Sequence, residues 1–404
     1  MTKFLGFFLT FSILLGMSFT AQAATEDTRY FVKSTSNFWK KSFGVRHSFG
    51  EGFTTDATEW QLRLAKVFGV AVEPVKKLYV LPADIAPVDS PVSAGSTGSL
   101  QAKPPAVVVR PQPSDRTPWG IEVVYDESLV ASTSGGTDIN VAVLDSGVNK
   151  SHPDLKGNIK ECRDFTSAKA PFLDGKCDDK NGHGTHVAGI IAANGGSDNL
   201  GIYGVAPEAN ILAYKVCMNN GSCWSDDVAV AIRTAADQGA HIINLSLGSD
   251  SESRLIKDAV NYAISKNSLV VAAAGNDGPY SGSIDYPAFF KEVIGVGALD
   301  SNLLVTEWSS RGTSSISEPF VKEDGDIEFA APGANIESPW KDGGYVILSG
   351  TSMAAPHISG LAAKLWQKDA ENPADATRSL LRQFSKDLLP LGDDDASGWG
   401  LPTL

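Results

Sequence analysis

The chain has 404 residues, 42% of them apolar, with 34 Lys and Arg, 47 Asp and Glu, and four cysteines. These values exclude a peptide, a disordered tail and a small disulfide-held scaffold, and the length suggests two or three folding units. The acidic balance, with no basic stripe to offset it, argues against a nucleic-acid partner.

Residues 1–23 read as an export signal. Lys3 supplies positive charge, Phe4 to Phe19 is mostly apolar, and Ala21-Gln22-Ala23 offers the small residues that precede cleavage. The run falls short of the ~20 apolar residues that cross a bilayer, so a protein free of the membrane after signal removal is expected. Residues 24–81 form a small unit with an extended Tyr30-Phe31-Val32 run, a helix-like stretch from Ala57 to Phe68 and a closing strand from Lys77 to Val80. Residues 82–113 are a linker, because Pro82 to Pro113 holds seven prolines in 32 residues, spaced by Ser, Gly and Ala.

Residues 114–404 alternate buried-strand patterns with helical ones. Strands are expected at Asn140 to Leu144, Ile211 to Tyr214, Ile242 to Leu245, Leu269 to Ala272 and Val293 to Val296. Helices are expected at His186 to Ala193, Asp226 to Gln238 and Leu255 to Lys266. That order is α/β, with a mainly parallel central sheet flanked by helices and a small α+β unit in front.

Charge is divided along the same line. Residues 1–113 carry 12 Lys and Arg against 8 Asp and Glu, and residues 114–404 carry 22 against 39. A cationic leader therefore faces an acidic body, and opposite fields favour their docking. All four cysteines lie in the body as two near pairs, Cys162 with Cys177 and Cys217 with Cys223, each around a turn-rich loop. Local disulfides are expected rather than zinc, since close Cys-x2-4-Cys spacings with nearby histidines are missing.

Chemistry-bearing residues gather where strands end. Asp145 closes the apolar run Val141-Ala-Val-Leu-Asp-Ser-Gly-Val148, the place where an α/β sheet presents groups to a ligand. His183 lies among small residues in Asn181-Gly-His-Gly-Thr-His-Val-Ala-Gly189, with His186 one helical turn further on. Ser352 stands in Gly350-Thr-Ser-Met-Ala-Ala-Pro-His-Ile-Ser-Gly360, at the entrance of an apolar helix whose free N–H groups and positive end would hold an oxyanion. Pro356 is expected in that helix's first turn. Asn276 follows a strand in Val271-Ala-Ala-Ala-Gly-Asn-Asp-Gly278.

Asp, His and Ser in that order, each in these local sequences, resemble the subtilisin-like serine proteases, the subtilases. The resemblance runs from about Trp119-Gly120 to Gly398-Trp-Gly-Leu401 and implies that family's fold and a serine endopeptidase acting on protein and peptide substrates. It implies Ser352 as nucleophile, His183 as general base and then acid, Asp145 as the carboxylate that fixes the imidazole, and Asn276 as an oxyanion donor; His186 is expected to be structural. It further implies main-chain substrate binding along Ser246, Leu247 and Gly248, with Gly275 clearing room. Asp285 aligns with the floor of the primary specificity pocket, where a carboxylate would favour Arg or Lys and a solvated loop aspartate would not. A structural Ca²⁺ is implied, with Asp115, Asp154 and Asp198 offering side chains and Leu200 and Ile202 their carbonyls.

Residues 24–81 resemble, more weakly, the family's inhibitory propeptide through Arg46-His-Ser-Phe-Gly50 and Leu78-Tyr-Val-Leu-Pro82. The implied protein is exported, monomeric and self-processing, with its own propeptide as intramolecular inhibitor, calcium as its ion, and a cut in the linker for which Arg110 is the candidate. An inactive binding protein of the same fold and an ester hydrolase using the same residues are the alternatives.

Overall fold

The computed structural model describes residues 29–81, 108–168, 170–313, 322–388, 391–392 and 394–404. The export-signal segment and most of the proline-rich stretch lie outside the described residues.

The N-terminal unit holds β1 (Arg29–Val32), α1 (Asn37–Phe43), β2 (Ser48–Phe49), β3 (Gly52–Asp56), α2 (Glu59–Val67) and β4 (Val72–Pro74), with strands in the order β2-β3-β1-β4. Its core is Val32, Trp39, Phe43, Phe53, Ala57 and Ala65. The sequence reading has no counterpart of α1, whose seven residues are too few for a clear period; it is held by the Ser36 cap and by burial of Trp39 and Phe43. α2 starts at a capping box in which the Thr58 N–H donates to Gln61 at 2.8 Å and the Gln61 N–H donates to the Thr58 hydroxyl at 3.3 Å. The next strand corrects an expectation. β5 (Lys77–Val80) does not close this unit but leaves it to pair with the large domain.

The large domain continues with α3 (Trp119–Val124), β6 (Asn140–Asp145), β7 (Ile159–Asp164), β8 (Leu173–Asp174), α4 (His183–Ala192), β9 (Asn210–Lys215), β10 (Ser222–Trp224) and α5 (Ser225–Asp237). Then follow β11 (Ile242–Leu245), β12 (Leu247–Gly248), α6 (Arg254–Ser265), β13 (Leu269–Ala273), β14 (Ile294–Leu299), β15 (Phe329–Pro332), β16 (Ile336–Pro339) and β17 (Tyr345–Leu348). The chain finishes with α7 (Thr351–Lys364), α8 (Pro373–Gln383), β18 (Ser385–Lys386) and β19 (Leu401–Pro402).

Eight strands form one sheet in the order β15-β14-β13-β11-β6-β9-β7-β8, parallel except for the β7–β8 edge. Its apolar runs are continuous because helices cover both faces. Alternate residues divide between two cores: Val141 and Val143 of β6 lie in one with Val187 of α4 and Ala355 of α7, while Ala142 and Leu144 lie in the other with Ile232 of α5 and Val260 of α6. The polar sequence Ile-Lys-Glu-Cys-Arg-Asp of β7 fits its place near the sheet margin, where the short β8 pairs only with Arg163 and Asp164, and that is why no apolar run announces it. The cysteines pair as expected, Cys162 with Cys177 and Cys217 with Cys223.

The two units meet through buried charge. Arg29 donates from Nη1 to Asp226 and Asp227, both at 2.9 Å, Arg46 Nε reaches Asp227 at 3.1 Å, and His47 Nε2 lies 2.8 Å from Asp227. Both aspartates sit in the first turn of α5, whose positive end also favours them. Burial opposes the charge on Asp227, but His47, Arg29 and Arg46 outweigh it and hold its pKa below the usual carboxylate value. Trp224 packs on Phe31 and Val75 from the leader, with Arg29 4.5 Å over its ring.

At the far end of the sheet, Glu328 is fully buried and receives Arg378 Nε at 2.8 Å and Arg382 Nη2 at 2.8 Å, tying α8 to β15. Burial works against this carboxylate, yet the Arg378 charge prevails and its pKa is pushed down to about 2. Breaking one partner of such a pair costs about 3–5 kcal/mol. Glu328→Gln should lose that much in thermal unfolding at neutral pH, measured on a Ser352→Ala background that blocks self-digestion. Because the folded pKa is depressed, the contribution is present above the ordinary carboxylate range and fades as pH falls toward 2, so the two midpoints should converge in acid.

Candidate active site

β6 delivers Asp145 to the carboxyl edge of the sheet, where its main-chain carbonyl accepts from the N–H groups of Val216 at 2.8 Å and Cys217 at 3.1 Å. The side chain is fully buried, and its Oδ1 accepts the Ser146 N–H at 2.6 Å. His183 opens α4, three residues before the expected start. The reason is Asp179: its Oδ1 accepts from Gly182 N–H at 2.7 Å and Asn181 N–H at 3.0 Å, and its Oδ2 from Thr185 N–H at 3.0 Å, so the first turn is capped upstream of His186.

Asp179 also accepts the Ser146 hydroxyl at 3.0 Å, and Ser146 Oγ accepts the Gly184 N–H at 3.0 Å. The aspartate turn and the histidine helix are therefore stitched together. His183 Nδ1 lies 2.9 Å from both carboxylate oxygens of Asp145. Burial disfavours the imidazolium, but the charge and hydrogen bond of Asp145, with Asp179 behind, hold the His183 pKa above its ordinary value. Lys215 completes the floor, donating to the Ser146 carbonyl at 2.6 Å. Neither Asp179 nor Lys215 was singled out from sequence; the acidic Asp178-Asp179 pair just ahead of a helix start was the available signal.

Ser352 is the second residue of α7, and its hydroxyl donates to the Ser246 carbonyl at 3.2 Å. Pro356 lies inside the helix, in its second turn rather than its first. A proline there has no N–H for the carbonyl four residues back, which is that of Ser352, and the Ser246 hydroxyl takes the place at 2.9 Å. Ser246 is in turn fixed by Asn244 at 3.0 Å, and Asn244 by Ser359 at 2.8 Å, a buried row from α7 back to its own first turn. Asn276 accepts through Oδ1 from the Thr351 N–H and hydroxyl, both at 3.0 Å, beside Ser352.

The structure thus joins Asp145 to His183, Ser352 to Ser246, and Asn276 to the residue preceding Ser352. No hydrogen bond joins Ser352 to His183, whose Nε2 is buried without a partner among the described residues. His186 is structural in its contacts, with Nε2 3.1 Å from the Ile336 and Val346 carbonyls and burial pushing its pKa down to about 3.

β5 lies between β10 and β12, antiparallel to both, with Tyr79 opposite Gly248 and Val80 opposite Leu247. Asp285 packs behind this edge: a Cβ on Gly248 would stand 2.6 Å from Asp285 Oδ2, and one on Gly275, where φ is +112°, 2.9 Å from it. Burial, with Asp277 and Asp250 alongside, pushes the Asp285 pKa up to about 8.

Away from the cleft, Asp154 is buried and its Oδ2 accepts from Ile202 N–H and the Tyr345 hydroxyl, both at 2.9 Å, while Oδ1 has no hydrogen-bond partner among the described residues. The loop from Asp198 to Ile202 wraps onto that oxygen so closely that a Cβ on Gly201 would fall 1.9 Å from it. Asp198 Oδ1 accepts from Leu200 N–H at 3.1 Å, and Asp115, next to Arg116 whose carbonyl accepts from Tyr203 N–H at 2.7 Å, accepts from Thr117 N–H at 3.1 Å.

The subtilase family profile matches residues 136–400. The chain belongs to the subtilase family. This subtilase is 44% identical over 384 residues to a subtilisin of Bacillus sp. (strain TA39), covering 90% of this chain and 87% of that protein. It is 38% identical over 284 residues to Subtilisin Savinase of Lederbergia lenta, covering 70% of this chain and 96% of the other. Among solved structures, the S41 psychrophilic protease and Sphericase each align at TM-score 0.69 and 47% identity, covering 72% of this chain and 99% of theirs. The subtilase is a serine endopeptidase.

The two stitched segments pack tightly at Gly184, where a Cβ would stand 2.2 Å from the Gly147 carbonyl oxygen and 3.0 Å from Asp145 Cβ. Gly184→Ala should therefore push His183 away from Asp145, with an overpacking cost of about 1–3 kcal/mol. Turnover and the thermal midpoint should fall together; an alanine variant with unchanged turnover would remove this contact from the account.

Proposed function

We propose that peptide bonds are cleaved by Ser352, His183 and Asp145 acting in series. The observation that carries this reading is the His183 Nδ1 contact at 2.9 Å to both oxygens of Asp145. With Nδ1–H donating there, Nε2 is the basic nitrogen. As Ser352 Oγ attacks the substrate carbonyl carbon, Nε2 takes the hydroxyl proton and later gives it to the leaving amine; water repeats the sequence on the acyl-enzyme. Asp145 stays ionised and stabilises the cation that forms in between. Oγ and Nε2 share no hydrogen bond in this state, and such a contact can form on substrate binding. The Asn276 amide, its oxygen held by Thr351, would turn its NH₂ to the developing oxyanion, together with the Ser352 N–H.

Placement of β5 in the cleft supports peptide over ester as substrate, and residues 24–81 as inhibitor, since β5 already forms main-chain pairs with the strand expected to hold substrate and with β10 on its other side. An export signal at residues 1–23 agrees with the two disulfides, and among the described residues no helix is long and apolar enough to cross a membrane. The inhibitor is released by a cut in the linker. Arg110 is the candidate, although in the intact chain it pairs with Tyr345 and reaches Glu337 at 3.2 Å, so the strap must lift for the cut. A carboxylate at Asp285 would favour Arg or Lys before the scissile bond. Asp115, Asp154, Asp198 and the carbonyls of Leu200 and Ile202 would hold Ca²⁺, and the buried, unpartnered Oδ1 of Asp154 fits that hard cation. The ion would pin the loops around Asp154; it takes no part in the chemistry.

Two experiments test this reading. Wild-type protein should be labelled by a fluorophosphonate and digest casein, whereas Ser352→Ala should do neither and accumulate at full length; an unprocessed wild type that cleaves only esters would overturn proteolytic self-processing. For calcium, chelation should lower the thermal midpoint of wild type, by an amount equivalent to about 2.7 kcal/mol if the ion is supplied at a hundredfold excess over its dissociation constant. In Asp154→Asn the chelator should make no difference, and an equal response in both proteins would reject this site.

A further inference from the structure

The junction between the leader and the large domain is not filled. It leaves a cavity of about 620 Å³, a size usual for small-molecule sites. Phe31, Phe49 and Val75 line it from the leader, and Leu255 and Tyr262 of α6 line it from the large domain. Phe31 and Phe49 meet edge to face with ring centroids 6.0 Å apart, and Phe31 and Val75 are buried together with Trp224. Half of these walls leave when the leader leaves.

Charged side chains surround the apolar walls, and their pairing is uneven. Lys33 pairs with Glu73, and Arg254 with Glu51 at 2.8 Å and Asp258 at 3.8 Å. Lys257 lies 3.5 Å from Glu252. Two lining cations are left over. Lys76 donates to the Glu252 main-chain carbonyl at 2.7 Å, and Arg233 to the Asp258 carbonyl at 3.1 Å with its guanidinium 4.8 Å over the Tyr262 ring; no carboxylate pairs with either among the described residues. Every lining carboxylate thus has a cation, whereas two lining cations have no anion.

A second observation concerns Ser225, which also lines the cavity. Its N–H donates to the Lys76 carbonyl at 2.9 Å, but its hydroxyl is buried and has no hydrogen-bond partner among the described residues. Buried hydroxyls are ordinarily satisfied, so an unsatisfied one in a cavity wall marks a place where a bound molecule or water supplies the partner.

We propose that this cavity is a binding site for a monocarboxylate with an apolar body, its tail among Phe31, Phe49, Leu255 and Tyr262 and its carboxylate received by Lys76 and Arg233. A neutral ligand would leave the two cations as they are, and a cationic one would meet only carboxylates already paired. Fatty acids and the free carboxyl ends of apolar peptides share this chemistry. Because both units supply walls, the occupant binds the docked form alone and strengthens docking, a control that lies outside the proposed cleavage reaction.

The test is titration calorimetry on full-length Ser352→Ala protein, whose intact mass is confirmed first; a chain already cut at the linker would count against the proposed self-processing and not against this site. The probes are decanoate, N-acetyl-leucyl-leucine, decanol and decylammonium at about pH 7, where both acids are ionised. One or both acids should bind one to one, and the tighter of them identifies the source. Decanol and decylammonium should bind it roughly 10-fold or more weakly. In the Lys76→Gln, Arg233→Gln double variant the acid should fall to the level of decanol. Leu255→Trp, which fills the cavity, should abolish binding while the protein still unfolds in one cooperative transition. No saturable binding of either acid, equal binding of acid and decanol or decylammonium, or acid binding that persists undiminished in the double variant or in Leu255→Trp would overturn the site.

Discussion

A carboxylate removed from water is stable only when donors surround it, and Asp145 is such a group. The Ser146 N–H and the His183 imidazole supply its donors, and Lys215 adds positive charge beneath the same turn. Asp179 repeats the solution one layer out, with acceptor contacts to the Gly182, Asn181 and Thr185 N–H groups and the Ser146 hydroxyl. Each carboxylate accepts from both segments, Asp145 from His183 across the gap and Asp179 from the Ser146 hydroxyl. Asp145 and His183, 38 positions apart, therefore cannot drift independently, and the chemistry proposed for them would draw on that preorganisation.

Buried charge also governs how the leader sits on the domain. Arg29, Arg46 and His47 face Asp226 and Asp227 at the start of α5, a desolvated cluster whose components would each be costly alone. Such a pairing contributes fit more than net stability. It fixes the direction in which the leader enters, and the direction carries β5 to the cleft. The uneven charge visible along the sequence thus has a local meaning: a few residues on each side account for the recognition.

The motifs proposed here as catalytic stand out because short, distinctive sequences sit at strand ends, and the apolar strands are legible because both faces of the sheet are covered. What escaped the sequence depended on partners remote along the chain. β7 and β8 are polar pieces at the sheet margin, and α1 is too short to show a period. The start of α4 at His183 is set by Asp179, a cap that only the folded turn reveals. Pro356 looked like a first-turn proline; its second-turn position makes sense only beside the Ser246 hydroxyl that takes the orphaned carbonyl. Lys77 to Val80 read correctly as a strand, but sequence pattern does not say which sheet a strand will join.

The way β5 is held has a consequence for release. It is bonded along both sides, to β10 and to β12, and so behaves as the middle rung of a small ladder and not as a stopper resting in a hole. Peeling one margin leaves the other engaged, so departure requires both rows to open. Once the segment has gone, two bare margins face each other across the groove, one strand's width apart. On the proposed reading, an unfolded chain thin enough to lie between them would recover the same double row, whatever its side chains, and the groove would stay shut to a chain that keeps its helices.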